Sequence, residues 1–164
     1  MIRNLIIGCV AFALISCTTM SYRKAINELQ NLPPADYSYI LEPNFRLSKE
    51  ALEEKLIEFY DAEEAKVGAS GNHGYSRETK EQINEKFWLK AVVLNSTQIG
   101  ELDKEDVNMP VAKEIASEVL DAIVNAADYS EIEIVLMQQW NDGEVKTIKR
   151  SYLFTVPNLV EIKM

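Results

Sequence analysis

Residues that can do chemistry are few in this sequence, and they do not converge on one reaction. His73 is its only histidine, so a histidine metal site or a Ser-His-Asp triad would depend on one side chain. It lies within Gly68-Ala-Ser-Gly-Asn-His-Gly, whose glycine spacing matches neither the Rossmann fingerprint nor a phosphate-binding loop. We interpret His73 as a solvated loop residue. The sequence therefore predicts no catalytic residue and no cofactor.

Acidic residues give no stronger indication of a site. Glu101, Asp103 and Glu105 alternate as the first ligands of a calcium loop do, but Asp106 replaces the glycine and Ala112 replaces the final glutamate of that loop. Acids before a helix N-terminus explain them as well. Although glycoside hydrolysis needs only two carboxylates, the sequence singles out no pair among its 26 Asp and Glu residues. We expect neither a metal site nor an enzyme.

The two cysteines occupy special positions. Cys9 lies inside an apolar N-terminal segment and Cys17 lies at its end. The rest of the chain has no cysteine, which excludes disulfides, thiolate metal sites and a cysteine nucleophile from the folded domain. Such a composition suits an oxidising compartment.

The N-terminal segment has the order of an export signal. Arg3 precedes an apolar run from Leu5 to Ile15, as the charged and hydrophobic regions of a signal peptide do. As a helix this run is about 16 Å long, roughly half the hydrocarbon thickness of a bilayer. We therefore predict a signal peptide over residues 1–16 rather than a membrane span.

The residues Leu14-Ile15-Ser16-Cys17 resemble the lipobox of bacterial lipoproteins. This resemblance implies cleavage before Cys17 and its attachment to the bilayer through diacylglycerol and acyl chains such as palmitate. Each buried methylene contributes about 0.8 kcal/mol, so two or three chains anchor a protein essentially permanently. Thr18 and Thr19 replace the aspartate that retains such proteins at the inner membrane, and no acidic cluster for surface display follows. The resemblance thus implies an outer-membrane protein that faces the periplasm.

The charge balance limits the partners. Without residues 1–16, which contain Arg3 and no acid, 16 Lys and Arg stand against 26 Asp and Glu, a net charge of −10. Because a polyanion is repelled by such a surface, we expect no nucleic-acid partner. A basic protein partner is permitted.

Composition and prolines divide the chain into three parts. The signal peptide (1–16) is followed by a lipidated N-terminus and tether (17–35) that contains Pro33 and Pro34, and then by one domain (36–164), which is long enough to bury a core. Within the domain, Tyr37-Ser-Tyr-Ile-Leu is predicted to be a short strand. The segment Gly68–Gly74 is predicted to be a flexible surface loop.

The first half of the domain contains one clear helix and one clear strand. Ser48 is the predicted N-cap of a helix from about Lys49 to Lys66, with Leu47 packed on Leu52 as a hydrophobic staple. The stretch Ser76–Lys86 is either a polar helix or a strand extension. Phe87–Leu94 is apolar at both parities, which predicts a buried strand.

The second half predicts a helix and a hairpin. Pro110 suits the first turn of a helix whose apolar stripe runs from Val111 to Ala126. Strands from Glu131 to Trp140 and from Val145 to Val156 flank the tight turn Asn141-Asp142-Gly143. The order of elements predicts an α+β fold, a two-layer sandwich with a mostly antiparallel sheet, two main helices on one face and a C-terminal β-hairpin.

These observations favour a membrane-anchored envelope lipoprotein that is not an enzyme and that binds or assembles with another envelope protein. The alternative is a periplasmic module that binds a small molecule or a glycan near Gly68–Gly74. Trp88 and Trp140 are interpreted as core or sheet-face residues. Lys146, Lys149 and Arg150 form a basic patch on the hairpin, either for binding or to prevent edge pairing.

Overall fold

The computed structural model describes residues 23, 26–27, 31–32, 34–76, 78–102 and 107–157. The predicted signal peptide, Cys17 and most of the tether lie outside the described residues. The fold is α+β. Its elements, in chain order, are α1 (Lys49–Tyr60), β1 (Glu64–Tyr75), β2 (Gln82–Leu94), α2 (Met109–Ala122), a 3-10 turn (Ala126–Asp128), β3 (Glu131–Asn141) and β4 (Val145–Thr155).

The four strands form one sheet in the order β1-β2-β3-β4. The pairs β1–β2 and β3–β4 are antiparallel, which confirms the predicted C-terminal hairpin. The sequence predicts a mostly antiparallel sheet and does not indicate which pair is parallel. The central pair β2–β3 is parallel, so the sheet is mixed. The reason lies in the connection, because a strand-helix-strand crossover through α2 brings β3 back parallel to β2.

Side chains on one face of the sheet, here called the inner face, form the core. Alternate residues point to the same side of a strand, and the paired registers bring the apolar ones together. They share one buried cluster with the apolar stripes of α1 and α2. The inner-face residues of the cluster are Ala65, Val67, Leu89, Ala91, Val93, Ile132, Ile134, Leu136 and Tyr152.

The first helix begins where the sequence predicts and ends earlier. Ser48 accepts a hydrogen bond from Ala51 N at 3.1 Å, which confirms it as the N-cap. Asp61 adopts a left-handed conformation with φ 45° and terminates α1 after Tyr60, so residues 64–66 belong to β1 instead of the helix. Leu47 is exposed, so the predicted staple with Leu52 removes little apolar surface from water.

Residues just before α2 and in its first turn fix the position where this helix begins. Pro110 lies in the first turn of α2, as predicted. Asn108, just before the helix, is buried and holds Gly100 through two hydrogen bonds: Gly100 N donates to Asn108 Oδ1 at 2.7 Å, and Asn108 Nδ2 donates to Gly100 O at 3.3 Å. This amide thereby ties the segment after β2 to the start of α2.

Two predictions about the N-terminal half are wrong. The glycine-rich segment Gly68–Gly74 is part of β1 and pairs with β2, with a register shift between Asn72 and Gly74. Residues 37–41 form turns instead of a strand and pack beside Gly71, where an added Cβ would lie 2.6 Å from Ile40 Cδ1. Any larger residue at position 71 would therefore require the side chains of Ile40 and Tyr39 to shift. The ambiguous stretch before Phe87 becomes strand from Gln82 onward.

Candidate functional site

The final hairpin extends beyond the rest of the sheet. β2 ends at Leu94, which pairs with Met137, whereas β3 and β4 remain paired up to Asn141 and Val145. Residues 138–148 therefore form a two-stranded ribbon, here called the hairpin arm. All residues from Gln139 to Lys149 are exposed.

Three large apolar side chains of the hairpin arm are open to solvent. Trp140 is 42% exposed, Val145 63% and Ile148 41%. Trp140 pairs with Lys146 and Gln138 pairs with Ile148, so Trp140 and Ile148 lie on the same side of the ribbon. Because a two-stranded ribbon is marginally stable by itself and aromatic residues are enriched among interface hot spots, the hairpin arm is the candidate contact surface.

The basic patch predicted on the hairpin is divided by the structure. Lys146 and Lys149 are exposed on the hairpin arm, and Lys146 Nζ lies 3.5 Å from Asp142 Oδ2. Arg150 is half-buried, and its Nε donates to Leu102 O at 2.7 Å. Two of the three cations are therefore presented to solvent, while the third supports the base of the arm.

The outer face of the sheet, opposite the core, carries a polar network. Glu133 Oε2 accepts from Trp88 Nε1 at 3.1 Å and lies 3.1 Å from Lys90 Nζ. Burial raises the pKa of Glu133. Hydrogen bonds from Lys90, Ser151 and Trp88, together with the charge of Lys90, lower the pKa by more than burial raises it, so that it lies below its ordinary value. Since these groups satisfy one another, we interpret the network as structural. Trp88 is a sheet-face residue, as predicted.

A cleft of about 370 Å³ lies between the start of α1 and the end of α2. Its charged groups are already engaged: Lys55 forms an ion pair with Glu118, and Arg46 Nε donates to Asp121 O at 2.7 Å. None of its lining residues belongs to Gly68–Gly74, where a ligand pocket was expected. The lining residues are Arg46, Leu47, Ser48, Ala51, Leu52, Lys55, Glu118, Asp121 and Ala122.

His73 occupies an aromatic cluster instead of a solvated loop. Its ring lies 5.0 Å from that of Tyr37 and 5.4 Å from that of Tyr75, both edge-on. It is half-buried, and its Nδ1 has no hydrogen-bond partner among the described residues. Across the described part of the chain, no three His, Cys, Asp or Glu side chains group as metal ligands. Asp103 and Glu105 lie outside that part.

Comparison with known proteins adds no relative. No family model, curated protein or solved structure matches the chain. In the described residues, no helix has both the length and the apolar character that are needed to cross a membrane.

Sequence reasoning identified the strands of the hairpin and its basic residues as a candidate contact, but it missed the exposed apolar residues of the hairpin arm. Trp140 was assigned to the core or a sheet face, yet it lies where β3 has lost its neighbour β2. Strand length gives no signal for the arm, because β2 has 13 residues while β3 and β4 have 11 each. The arm results from the register, since the pairing of β2 with β3 ends at Leu94 and Met137.

Proposed function

We propose that the protein is a lipid-anchored envelope protein that performs no catalysis and binds another protein through the hairpin arm. One observation carries this proposal: the arm exposes Trp140, Val145 and Ile148 on a ribbon that extends beyond the core. Burial of these side chains against a partner would contribute roughly 1.5–3 kcal/mol for each large residue that becomes fully buried. Trp140, as the aromatic residue, is the expected hot spot.

The anchoring part of the proposal rests on the lipobox resemblance. Residues 1–16 are removed, Cys17 carries the acyl chains, and the domain from residue 36 onward faces the periplasm from the outer membrane. We also propose that this domain is a two-layer sandwich with both helices on the inner face. The shared core cluster of α1, α2 and the inner-face residues supports that arrangement.

The point at which the chain enters the domain supports this orientation. Tyr39 Oη donates to Asn72 O at 2.6 Å, and Asn72 pairs with Lys86 near the start of β2. The hairpin arm begins at the other end of β2, opposite Leu94. Leu94 lies eight positions beyond Lys86 along β2, a distance of roughly 26 Å. If the tether arrives near Tyr39, the hairpin arm lies at the opposite end of the strands and is directed away from the lipid anchor.

The alternative function, binding of a small molecule or a glycan, is supported by the cleft between α1 and α2. Its volume of about 370 Å³ falls within the range of ligand pockets. Such pockets are mainly apolar with a few unpaired polar groups. The paired charges of Lys55 and Glu118 make the cleft a weaker candidate than the hairpin arm.

The test is site-specific photocrosslinking in the cells that produce the protein. A photoreactive residue at position 148 reports on the arm, and one at the exposed position 58 of α1 is the control. We expect one abundant adduct from position 148, none from position 58, and loss of the adduct in Trp140→Ser and in the unanchored Cys17→Ser variant. Equal crosslinking at both positions, or an adduct that persists in Trp140→Ser, would contradict the proposal.

A further inference from the structure

The edges of the sheet differ in whether other residues of the chain occupy their outward N–H groups. On β1, Val67 N donates to Glu53 Oε1 at 2.8 Å, so a carboxylate from α1 occupies an outward N–H of that edge strand. Farther along β1, residues 39–40 pack beside Gly71, and Tyr39 Oη binds Asn72 O. An approaching strand would have to displace these groups. The β1 edge is therefore blocked at two places.

The edge that β3 gains in the hairpin arm is also blocked. Beyond the end of β2, Gln139 N donates to Asn95 Oδ1 at 2.7 Å, and Asn95 N donates to Met137 O at 2.9 Å. The side chain and backbone of Asn95 thus take the place of the next β2 residue. This arrangement leaves no outward N–H at position 139 for another chain.

Within the part of the chain that the structure describes, the edge of β4 carries no such block. Val156 N donates to Ser130 O at 3.0 Å, and the β3–β4 register is unbroken from Glu131↔Thr155 to Asn141↔Val145. Because N–H groups alternate in direction along a strand, those of Val145, Thr147 and Lys149 point away from β3. Among the described residues, no side chain accepts from these three N–H groups as Glu53 does from Val67.

We infer that the β4 edge from Val145 to Lys149 receives an extended acidic segment of the partner as an added strand, an inference that rests on the proposed function. Main-chain hydrogen bonds would supply affinity, and side chains would supply specificity. All charged residues of β4 are basic: Lys146, Lys149 and Arg150. The exposed cations Lys146 and Lys149 favour an acidic strand, whereas a second copy of β4 would bring cations against cations. Ile148 offers an apolar neighbour to the added strand.

A peptide probe tests the edge directly. The purified lipidated protein is mixed with a nine-residue peptide of alternating glutamate and valine, and with a matched lysine and valine peptide. We expect the acidic peptide alone to slow hydrogen exchange at Val145, Thr147 and Lys149 at least tenfold, with little change at Lys146 and Ile148, whose N–H groups point to β3. Equal effects of both peptides, or protection elsewhere only, would overturn the inference.

Two substitutions at position 147 distinguish the contribution of the backbone N–H to peptide affinity from that of the side chain. Thr147→Pro removes the outward N–H at an edge position that tolerates proline, whereas Thr147→Val keeps it. We expect at least a tenfold loss of peptide affinity in the first and little change in the second. If Thr147→Pro unfolds, Val145→Pro at the start of β4 replaces it, and Lys149→Glu tests the charge. Unchanged peptide affinity in the proline variant would overturn the inference.

The crosslink to the partner distinguishes failure of the strand-addition inference from failure of the proposed function. If Thr147→Pro retains the adduct from position 148 while Trp140→Ser loses it, the hairpin arm binds its partner without strand addition, and only the inference fails. If position 148 gives no adduct in any variant, the proposed function fails as well. Loss of the adduct in both variants, with retention in Thr147→Val, supports strand addition.

Discussion

Trp88 on β2 and Glu133 on β3 are joined across the parallel pair at the centre of the sheet, with the indole N–H 3.1 Å from the carboxylate. The same carboxylate oxygen lies 3.1 Å from Lys90 Nζ, so one acid binds two neighbours on β2. A hydrogen bond to an ionised group is stronger than one between neutral groups. This link therefore stabilises the parallel pairing of β2 with β3, which the sequence did not predict.

Glu133→Gln should lower the free energy of unfolding by about 1–2 kcal/mol at pH 7, since hydrogen bonds to a charged acceptor are replaced by neutral ones. The folded-state pKa of Glu133 lies below its ordinary value of 4.5. The stabilisation is therefore complete above pH 4.5 and is lost as pH falls through the folded-state pKa. Urea unfolding of both proteins at pH 7 and pH 3 measures this, and a difference that is equal at the two pH values would contradict it.

Two glycines of β1 should respond in opposite directions to alanine. A Cβ on Gly68 meets no atom within 4 Å, whereas one on Gly71 lies 2.6 Å from Ile40 Cδ1 and 2.9 Å from Tyr39 Oη. Neither residue has a positive φ. Gly68→Ala should stabilise by about 0.4–1 kcal/mol by restricting the unfolded chain, and Gly71→Ala should destabilise by about 1–3 kcal/mol through overpacking.

Thermal unfolding of the two alanine variants is the measurement. The pair is matched, because both substitutions add one methyl group to the same strand. Equal effects would mean that the segment is the loop that its glycine content suggests, without the packing against Ile40.

The sequence predicted those elements whose signals are local. The cap at Ser48, the proline at position 110 and the Asn141-Asp142-Gly143 turn each depend on neighbouring residues, and all three are confirmed. The α+β class follows from the order of such elements. The basic residues of the hairpin were also identified as a candidate contact, although the division between exposed Lys146 and half-buried Arg150 required the structure.

The errors come from residues whose structure is decided by distant partners. The segment Gly68–Gly74 has poor strand propensity, but six of its seven residues pair with β2, which draws the segment into the sheet. The side chains that accept hydrogen bonds from the strand edges are also far from those edges in sequence. Glu53 reaches Val67 from a helix, and Asn95 reaches Gln139 from another strand. No spacing in the sequence indicates these pairs.

Asn108→Ala should destabilise the domain by about 1–3 kcal/mol, because the partly buried N–H and C=O of Gly100 would lose their partners. Asn108→Asp keeps an acceptor for Gly100 N but loses the donor to Gly100 O, so it should also destabilise. Chemical denaturation measures both variants. If Asn108→Ala is as stable as the natural protein, the amide does not hold the start of α2.

Glu53→Ala should open the β1 edge. It removes the acceptor of Val67 N, and an unpaired strand edge favours association between chains. We expect concentration-dependent association in analytical ultracentrifugation, together with a loss of about 1–2 kcal/mol in the free energy of unfolding. Glu54→Ala, at the exposed neighbouring position, is the control and should remain unassociated, while Glu53→Gln keeps an acceptor and should largely restore the natural behaviour. Association of Glu54→Ala to the same extent would show that lost negative charge, rather than an opened edge, is responsible.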